Sequence, residues 1–358
     1  MRSIYQTILE QIRTGSRIVQ ATVVRTSGST PQKPGSTALF GEKGLLAGTV
    51  GGGLLEGEVQ HIAQSVMISE ISDHFYFNLD SDQGTEGAIC GGEAEVLVDA
   101  NPSSNLEALE AMEDALKMRS QGYLLTVVSK KHELGRTIAR YWIRGLADEK
   151  LPSELNPALR NILPDHLEQA DRYGFTEVKF HPADPGLSDM AFLEHVKPMP
   201  QLVIAGAGHV GKALSRLGSL LEFEITVMDD RPEFANSQNI PYADHLVVKE
   251  IGPALEEVSK GPDAYIVIVT RGHNHDSEAL RSCIGSDAAY IGMIGSANKV
   301  QVMKNKFLEN SWASPELWSE VHTPIGIAIG SKTVQEIAIS IAAQLVEVRN
   351  RKITPYAE

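Results

Sequence analysis

The chain has 358 residues, more than one hydrophobic core usually supports, and its 42% apolar content excludes wholesale disorder. The net charge of −14 divides as 17 Lys+Arg against 27 Asp+Glu in residues 1–195 and 15 against 19 in 196–358, which excludes general binding to nucleic acid or anionic membranes. The two cysteines, Cys90 and Cys283, exclude a disulfide framework and a four-cysteine zinc site.

The first half reads as α+β. Ile4, Ile8, Leu9 and Ile12 have helical spacing over Ser3–Arg13, and Arg17–Arg25 is a strand rich in Val and Ile. Turn residues fill Thr26–Gly35. Short strands are predicted over Thr37–Phe40 and Leu45–Thr49, after which Gly51-Gly52-Gly53 opens a helix carrying Leu55, Val59, Ile62, Ala63 and Val66 on one stripe. Strands over His74–Leu79 and Glu93–Val98 flank a polar, Gly-rich loop. A helix over Leu106–Arg119, strands over Tyr123–Ser129 and Thr137–Ile143, a helix over Pro157–Ala170 and a strand over Thr176–Phe180 complete this half. Pro-rich punctuation at His181–Gly186 and Lys197–Pro200 places a domain boundary near 195, giving domains over 1–195 and 196–358.

The second half alternates. Strands are expected over Gln201–Ala205, Glu224–Met228, His245–Val248, Ala264–Thr270, Tyr290–Met293 and Gly326–Ile329, with helices starting near His209, Gly252, Asp276, Ser296, Ser314 and Thr333. Apolar strands separated by such helices indicate a Rossmann-like, doubly wound parallel sheet. The fold class is therefore α/β, with that sheet preceded by an α+β domain. No apolar run reaches the length of a membrane span and no signal-peptide core is evident, so a reducing cytoplasmic setting is expected.

Leu202–Gly211 carries the clearest chemistry. An apolar strand runs into Gly206, Gly208 and Gly211, which suits a tight turn that brings backbone N–H groups and a helix N-terminus to a phosphate. His209, inside the loop, either donates to such a phosphate or faces solvent. After the next strand, Asp229 or Asp230 can accept ribose hydroxyls, and Arg231 can meet a further phosphate. Thr270, His273, His275 and Asp276 follow another buried strand and can reach the same crevice; His-x-His-Asp can also hold a metal, and Asp276 can simply cap a helix. Gly295 and Ser296 form a further glycine turn before a helix. Cys283, on an apolar stripe, reads as core.

In the first half the costly run Gly51, Gly52 and Gly53 suggests close backbone approach to a ligand. Glu56 either contacts that ligand or stabilises the helix N-terminus by its charge. Cys90, followed by Gly91 and Gly92, is either an accessible soft ligand or sulfur acceptor or a small buried residue. No Ser-His-Asp pattern, P-loop lysine or carboxylate pair marks a catalytic centre.

The ordered set Gly51–Glu56, Cys90–Gly92, Gly206–Gly211, Asp229–Phe234, Thr270–Asp276, Pro324–Gly326 and Glu336–Ile341 resembles the XdhC/CoxI family, the xanthine dehydrogenase accessory factors, over nearly the whole chain. The resemblance implies a cofactor chaperone rather than an oxidoreductase. It would bind the molybdenum cofactor (molybdopterin), promote its sulfuration with a cysteine desulfurase, and deliver it to a xanthine-dehydrogenase-like molybdenum hydroxylase of purine oxidation. Cys90 would contact the molybdenum through the cofactor, and a homo-oligomer, a dimer, is expected. An NAD(P)-dependent oxidoreductase and a regulatory nucleotide-binding protein are the alternatives the glycine loop allows. The chain departs from the family's common cysteine at Leu54, histidine at Arg271 and aspartate at Ala328.

Overall fold

The computed structural model describes residues 4–79, 92–130, 135–145, 155, 157–180, 190–258 and 260–351. The chain divides into two compact units, Arg2–Pro198 and Met199–Glu358.

In the first unit α1 (Ile4–Arg13) precedes β1 (Val19–Gly28), β2 (Thr37–Gly41) and β3 (Gly44–Gly48), then α2 (Gly53–Ser69), β4 (Asp73–Asn78) and β5 (Gly92–Asp99). These five strands form an antiparallel sheet in the order β3-β2-β1-β5-β4. After α3 (Leu106–Lys117), the strands β6 (Gly122–Lys130) and β7 (Arg136–Ile143), α4 (Pro157–Tyr173), β8 (Phe175–Val178) and β9 (Met190–Val196) build a second antiparallel sheet, β7-β6-β9-β8. Alternation along the strands sorts the core into layers. Val19, Ala21, Val96 and Val98 pack under the α2 stripe Leu55, Val59, Ala63 and Val66. Leu97, Val128, Ile138 and Phe192 pack between the sheets, and Leu159, Leu163 and Leu167 of α4 cover Leu125 and Leu193 on the far side. The predicted elements of this half are present, and β9, which the apolar pattern did not single out, completes the second sheet between β6 and β8.

The second unit contains β10 (Gln201–Ala205), α5 (His209–Leu220), β11 (Glu224–Asp229), β12 (His245–Val248), α6 (Ile251–Glu257), β13 (Ala264–Ile268), α7 (His273–Arg281), β14 (Tyr290–Met293), α8 (Ala297–Glu309), α9 (Pro315–Ser319) and α10 (Val334–Arg351). Its five strands are all parallel, in the order β12-β11-β10-β13-β14. Val203, Ala205, Ile266 and Ile268 face α6, α7 and α8, while Leu202, Ile204, Tyr265 and Val267 face α5 and α10, so the sheet is covered on both sides. Cys283 is buried on the α7 side as expected, and burial pushes its thiol up to about 12.

The strand order reverses between β10 and β13, and in open parallel sheets the crevice beyond the carboxyl ends at such a switch is where ligands lie. Two expectations are corrected here. Gly326–Ile329 is not a strand: the Gly326 N–H donates to Gln344 Oε1 (2.8 Å) and the Ile327 N–H to the Ser340 carbonyl (3.3 Å), so the segment is tied to α10 and not to a sheet edge. α7 begins at His273, with Gly272 and not Asp276 as its N-cap.

Candidate functional site

The three glycines after β10 do different things. Gly206 has φ +119°, and a Cβ there would stand 2.5 Å from the Val269 carbonyl oxygen, so only glycine lets β10 and β13 close up at the switch point. Gly211 sits where a Cβ would be 2.0 Å from the Gly206 carbonyl oxygen, which fixes α5 tightly on the strand end. Gly208 is the N-cap of α5, with ordinary φ (−71°) and no atom within 4 Å of a built Cβ. The first two are required by packing. The open position at Gly208 leaves the first-turn N–H groups of α5 accessible to an anion, which their orphan status and the helix dipole favour. His209 is the exposed first residue of that helix.

Asp229 and Arg231 prove to hold one another. The buried Asp229 carboxylate accepts from the Ala207 N–H (2.8 Å) and from the Arg231 N–H (3.1 Å), and takes a bidentate grip from the Arg231 guanidinium (2.8 and 3.0 Å). Burial alone would push its pKa up; the Arg231 and Ala207 hydrogen bonds outweigh that and hold it below the usual aspartate value. Arg231 also lies 3.8 Å over the Phe234 ring. Asp229 thus secures the glycine loop through Ala207, leaving Asp230 as the more accessible acid at the end of β11. Asp230 accepts from Arg271 (2.7 Å), which follows β13. Because β10 lies between β11 and β13, this ion pair spans the carboxyl end of β10, above the glycine loop.

Beside the switch point, Thr270 donates to Asp276 Oδ1 (2.6 Å) and Lys299 donates to Asp276 Oδ2. Asp276 is fully buried and Lys299 18% exposed at its side chain. The sequence pattern points Asp276 and Thr270 to the crevice but not Lys299, whose partner lies 23 positions away. Ser296 caps α8 by accepting from the Lys299 N–H (3.4 Å), and Gly295 makes room for the Lys299 side chain, since a Cβ there would be 3.3 Å from its Cδ. His273 is exposed and His275 half-buried. Among the described residues no group of three or more His, Cys, Asp or Glu side chains is placed to hold a metal.

In the first unit Gly51, Gly52 and Gly53 all have positive φ (+133°, +68° and +57°). A Cβ on Gly51 would meet Pro31 Cγ at 2.7 Å, whereas Gly52 and Gly53 face open space. Glu56 accepts from the Thr49 hydroxyl (2.6 Å) and the Val50 N–H (3.3 Å), so it ties the start of α2 to the turn before it. Gly92 opens β5 under the Ser27 and Ser29 carbonyls, 2.6 and 2.5 Å from a built Cβ. Gly51 and Gly92 therefore converge on the same loop, 26–35. Cys90 and Gly91 lie outside the described residues. Leu54 is 53% exposed on the first turn of α2.

Comparison with known proteins places these features in context. Residues 202–345 match the XdhC Rossmann domain and residues 11–74 match the XdhC and CoxI family, together more than half of the chain. Over 336 residues, 93% of each chain, the sequence is 25% identical to a probable xanthine dehydrogenase subunit of Bacillus subtilis. Over 152 residues, 42% of this chain, it is 37% identical to the uncharacterized protein YqeB of Escherichia coli K12, of whose length it spans 28%. The crystal structure of a xanthine dehydrogenase from Bacillus halodurans shares the fold, with a TM-score of 0.76 over 99% of this chain and 98% of the other at 24% identity.

Proposed function

Because the chain belongs to the XdhC and CoxI family, we propose that it is a xanthine dehydrogenase accessory factor, one that binds the molybdenum cofactor and helps its sulfuration and insertion into a xanthine-dehydrogenase-like hydroxylase. The observation that carries this reading is the glycine loop at the switch point. Gly206 and Gly211 are consumed by packing, and Gly208 alone is left open beside the first-turn N–H groups of α5. The cofactor's phosphate is an anion of the kind such a terminus receives. The Asp229–Arg231 clamp keeps the Ala207 N–H engaged and the loop shape fixed before any ligand arrives, which lowers the ordering cost of binding.

In the first unit the open, positive-φ backbone at Gly52 and Gly53 supports an approach by the cofactor, and Cys90 is proposed as the sulfur contact to its molybdenum. A cysteine desulfurase would supply the sulfur. A second reading, dinucleotide binding in an NAD(P)-dependent protein, is favoured by the accessible Asp230 after β11, where a ribose acceptor sits in such folds.

The test is activation of apo-hydroxylase. Purified chain preloaded with molybdenum cofactor is expected to restore xanthine oxidation to the apo-enzyme faster than free cofactor does, and preincubation with a cysteine desulfurase and cysteine is expected to raise the final activity. A chain that leaves the rate of activation unchanged yet binds NADH or NADPH at micromolar concentration would replace this reading with the second. Cys90→Ala is expected to weaken cofactor retention; unchanged retention would remove Cys90 as a ligand.

A further inference from the structure

A cavity lies on the outer face of α5. His209, Lys212, Ala213, Arg216, Leu217 and Leu220 recur at helical spacing and form its floor. Pro241 and Tyr242 wall one side, and Val334, Ala338 and Ile339 of α10 wall the other. The space measures about 600 Å³ and opens to solvent. That volume falls within the range of about 300–1,000 Å³ typical of small-molecule sites. A three-turn helix about 10 Å across fills about 1,300 Å³, so the enclosed space suits a small molecule better than a partner helix.

Two chemical features define what fits. The floor and walls carry two cationic side chains, Lys212 and Arg216, beside His209, and no acidic one, in a chain whose net charge is −14. Arg216 and His209 have no ion-pair or hydrogen-bond partner among the described residues, and Lys212 donates only to the neutral Asn239 (3.1 Å). Positive charge left uncompensated on an acidic protein is complementary to an anion. The apolar walls are equally unsatisfied. Leu220, Ile339 and Tyr242 are 67%, 51% and 44% exposed around the apolar floor of Ala213 and Leu217. An apolar body there would remove them from water at about 25 cal/mol per Å².

We infer that this groove is a binding site for a small amphipathic organic anion, a flat aromatic or short acyl body bearing one carboxylate, phosphate or sulfonate. The anionic head pairs with Arg216 and Lys212, and the body lies between Tyr242 and Ile339. The inference goes beyond the molybdenum-cofactor reading: His209, the first residue of α5, adjoins the glycine loop, whereas Arg216, Leu217 and Leu220 lie two to three turns further along the helix, away from the carboxyl ends of the strands.

Anilinonaphthalene sulfonate has this chemistry and is the probe. Titrated into the full chain and followed by fluorescence, it is expected to saturate one site per chain. Arg216→Glu reverses the charge at an exposed position, and Ile339→Glu puts a carboxylate on the exposed apolar wall. Each is expected to weaken binding at least tenfold while leaving the circular dichroism spectrum and Tm unchanged. Absence of saturable binding overturns the inference, as does equal affinity in wild type and both variants, which would place the probe elsewhere. Sedimentation velocity covers the remaining occupant. If the wild type is a dimer that Arg216→Glu dissociates and the probe does not, the groove is an interface between copies of the chain and the inference fails.

Discussion

At the scale of residues, the glycine loop separates what packing requires from what a ligand requires. Gly211→Ala puts a methyl group 2.0 Å from the Gly206 carbonyl oxygen, against backbone that cannot yield cheaply, and is expected to cost about 1–3 kcal/mol in urea unfolding. At Gly208 a built Cβ meets no atom within 4 Å and φ is ordinary, so Gly208→Val is expected to cost only the poorer N-cap, about 1 kcal/mol. The Asp229 clamp has a pH signature. Its folded pKa is depressed, so its contribution is fully present above the unfolded value and is lost as pH falls through the folded one. Asp229→Asn is expected to cost about 2 kcal/mol at pH 7, with the difference in Tm from wild type closing as pH falls below about 4. A difference independent of pH would show that the charge of Asp229 is not what holds Arg231 and Ala207. Gly208 is open, whereas Gly206 and Gly211 were legible because no Cβ fits where they sit. The commitment of Asp229 to Arg231 was not, since the same acid at the same strand end suits a ribose equally well until its four hydrogen bonds are seen.

At the scale of elements, strands flanked by helices were readable from apolar runs, and the exceptions have specific causes. β9, Met-Ala-Phe-Leu-Glu-His-Val, mixes Glu194 and His195 into its apolar run and so lacks clean alternation; pairing on both edges, with β6 and β8, makes it a strand. Gly326–Ile329 has the apolar composition of a strand but hydrogen-bonds to α10, because Gln344 and Ser340 offer partners there. The join between α7 and α8 was the least legible, since it depends on Lys299 reaching Asp276 from a neighbouring helix. Lys299→Met would leave the fully buried Asp276 carboxylate without its counter-charge and is expected to cost about 3–5 kcal/mol. Adding Asp276→Asn should recover most of that loss. If the double variant is no more stable than the single one, urea unfolding will have shown that the pair is not a counter-ion couple.

At the scale of the whole molecule, each core cluster draws its residues from one unit: two from residues 202–345 and four from residues 5–196. The fragment 199–358 is therefore expected to fold alone, with a cooperative thermal transition and the far-ultraviolet dichroism of an α/β domain. An insoluble or non-cooperative fragment would contradict the division. The described helices include none long and apolar enough to cross a membrane. The parallel sheet and its switch point followed from the order of apolar segments, whereas the layering of the first unit did not, because its antiparallel sheets pair strands far apart in sequence. The open glycine position on α5 is proposed to serve the phosphate of a molybdenum cofactor. Anaerobic gel filtration with cofactor, reading molybdenum co-eluting with wild type and with Gly208→Val, tests it most directly. Wild type is expected to retain the metal, and Gly208→Val, still folded by circular dichroism, to retain at least tenfold less. Equal retention by the two, or none by wild type, would contradict the account.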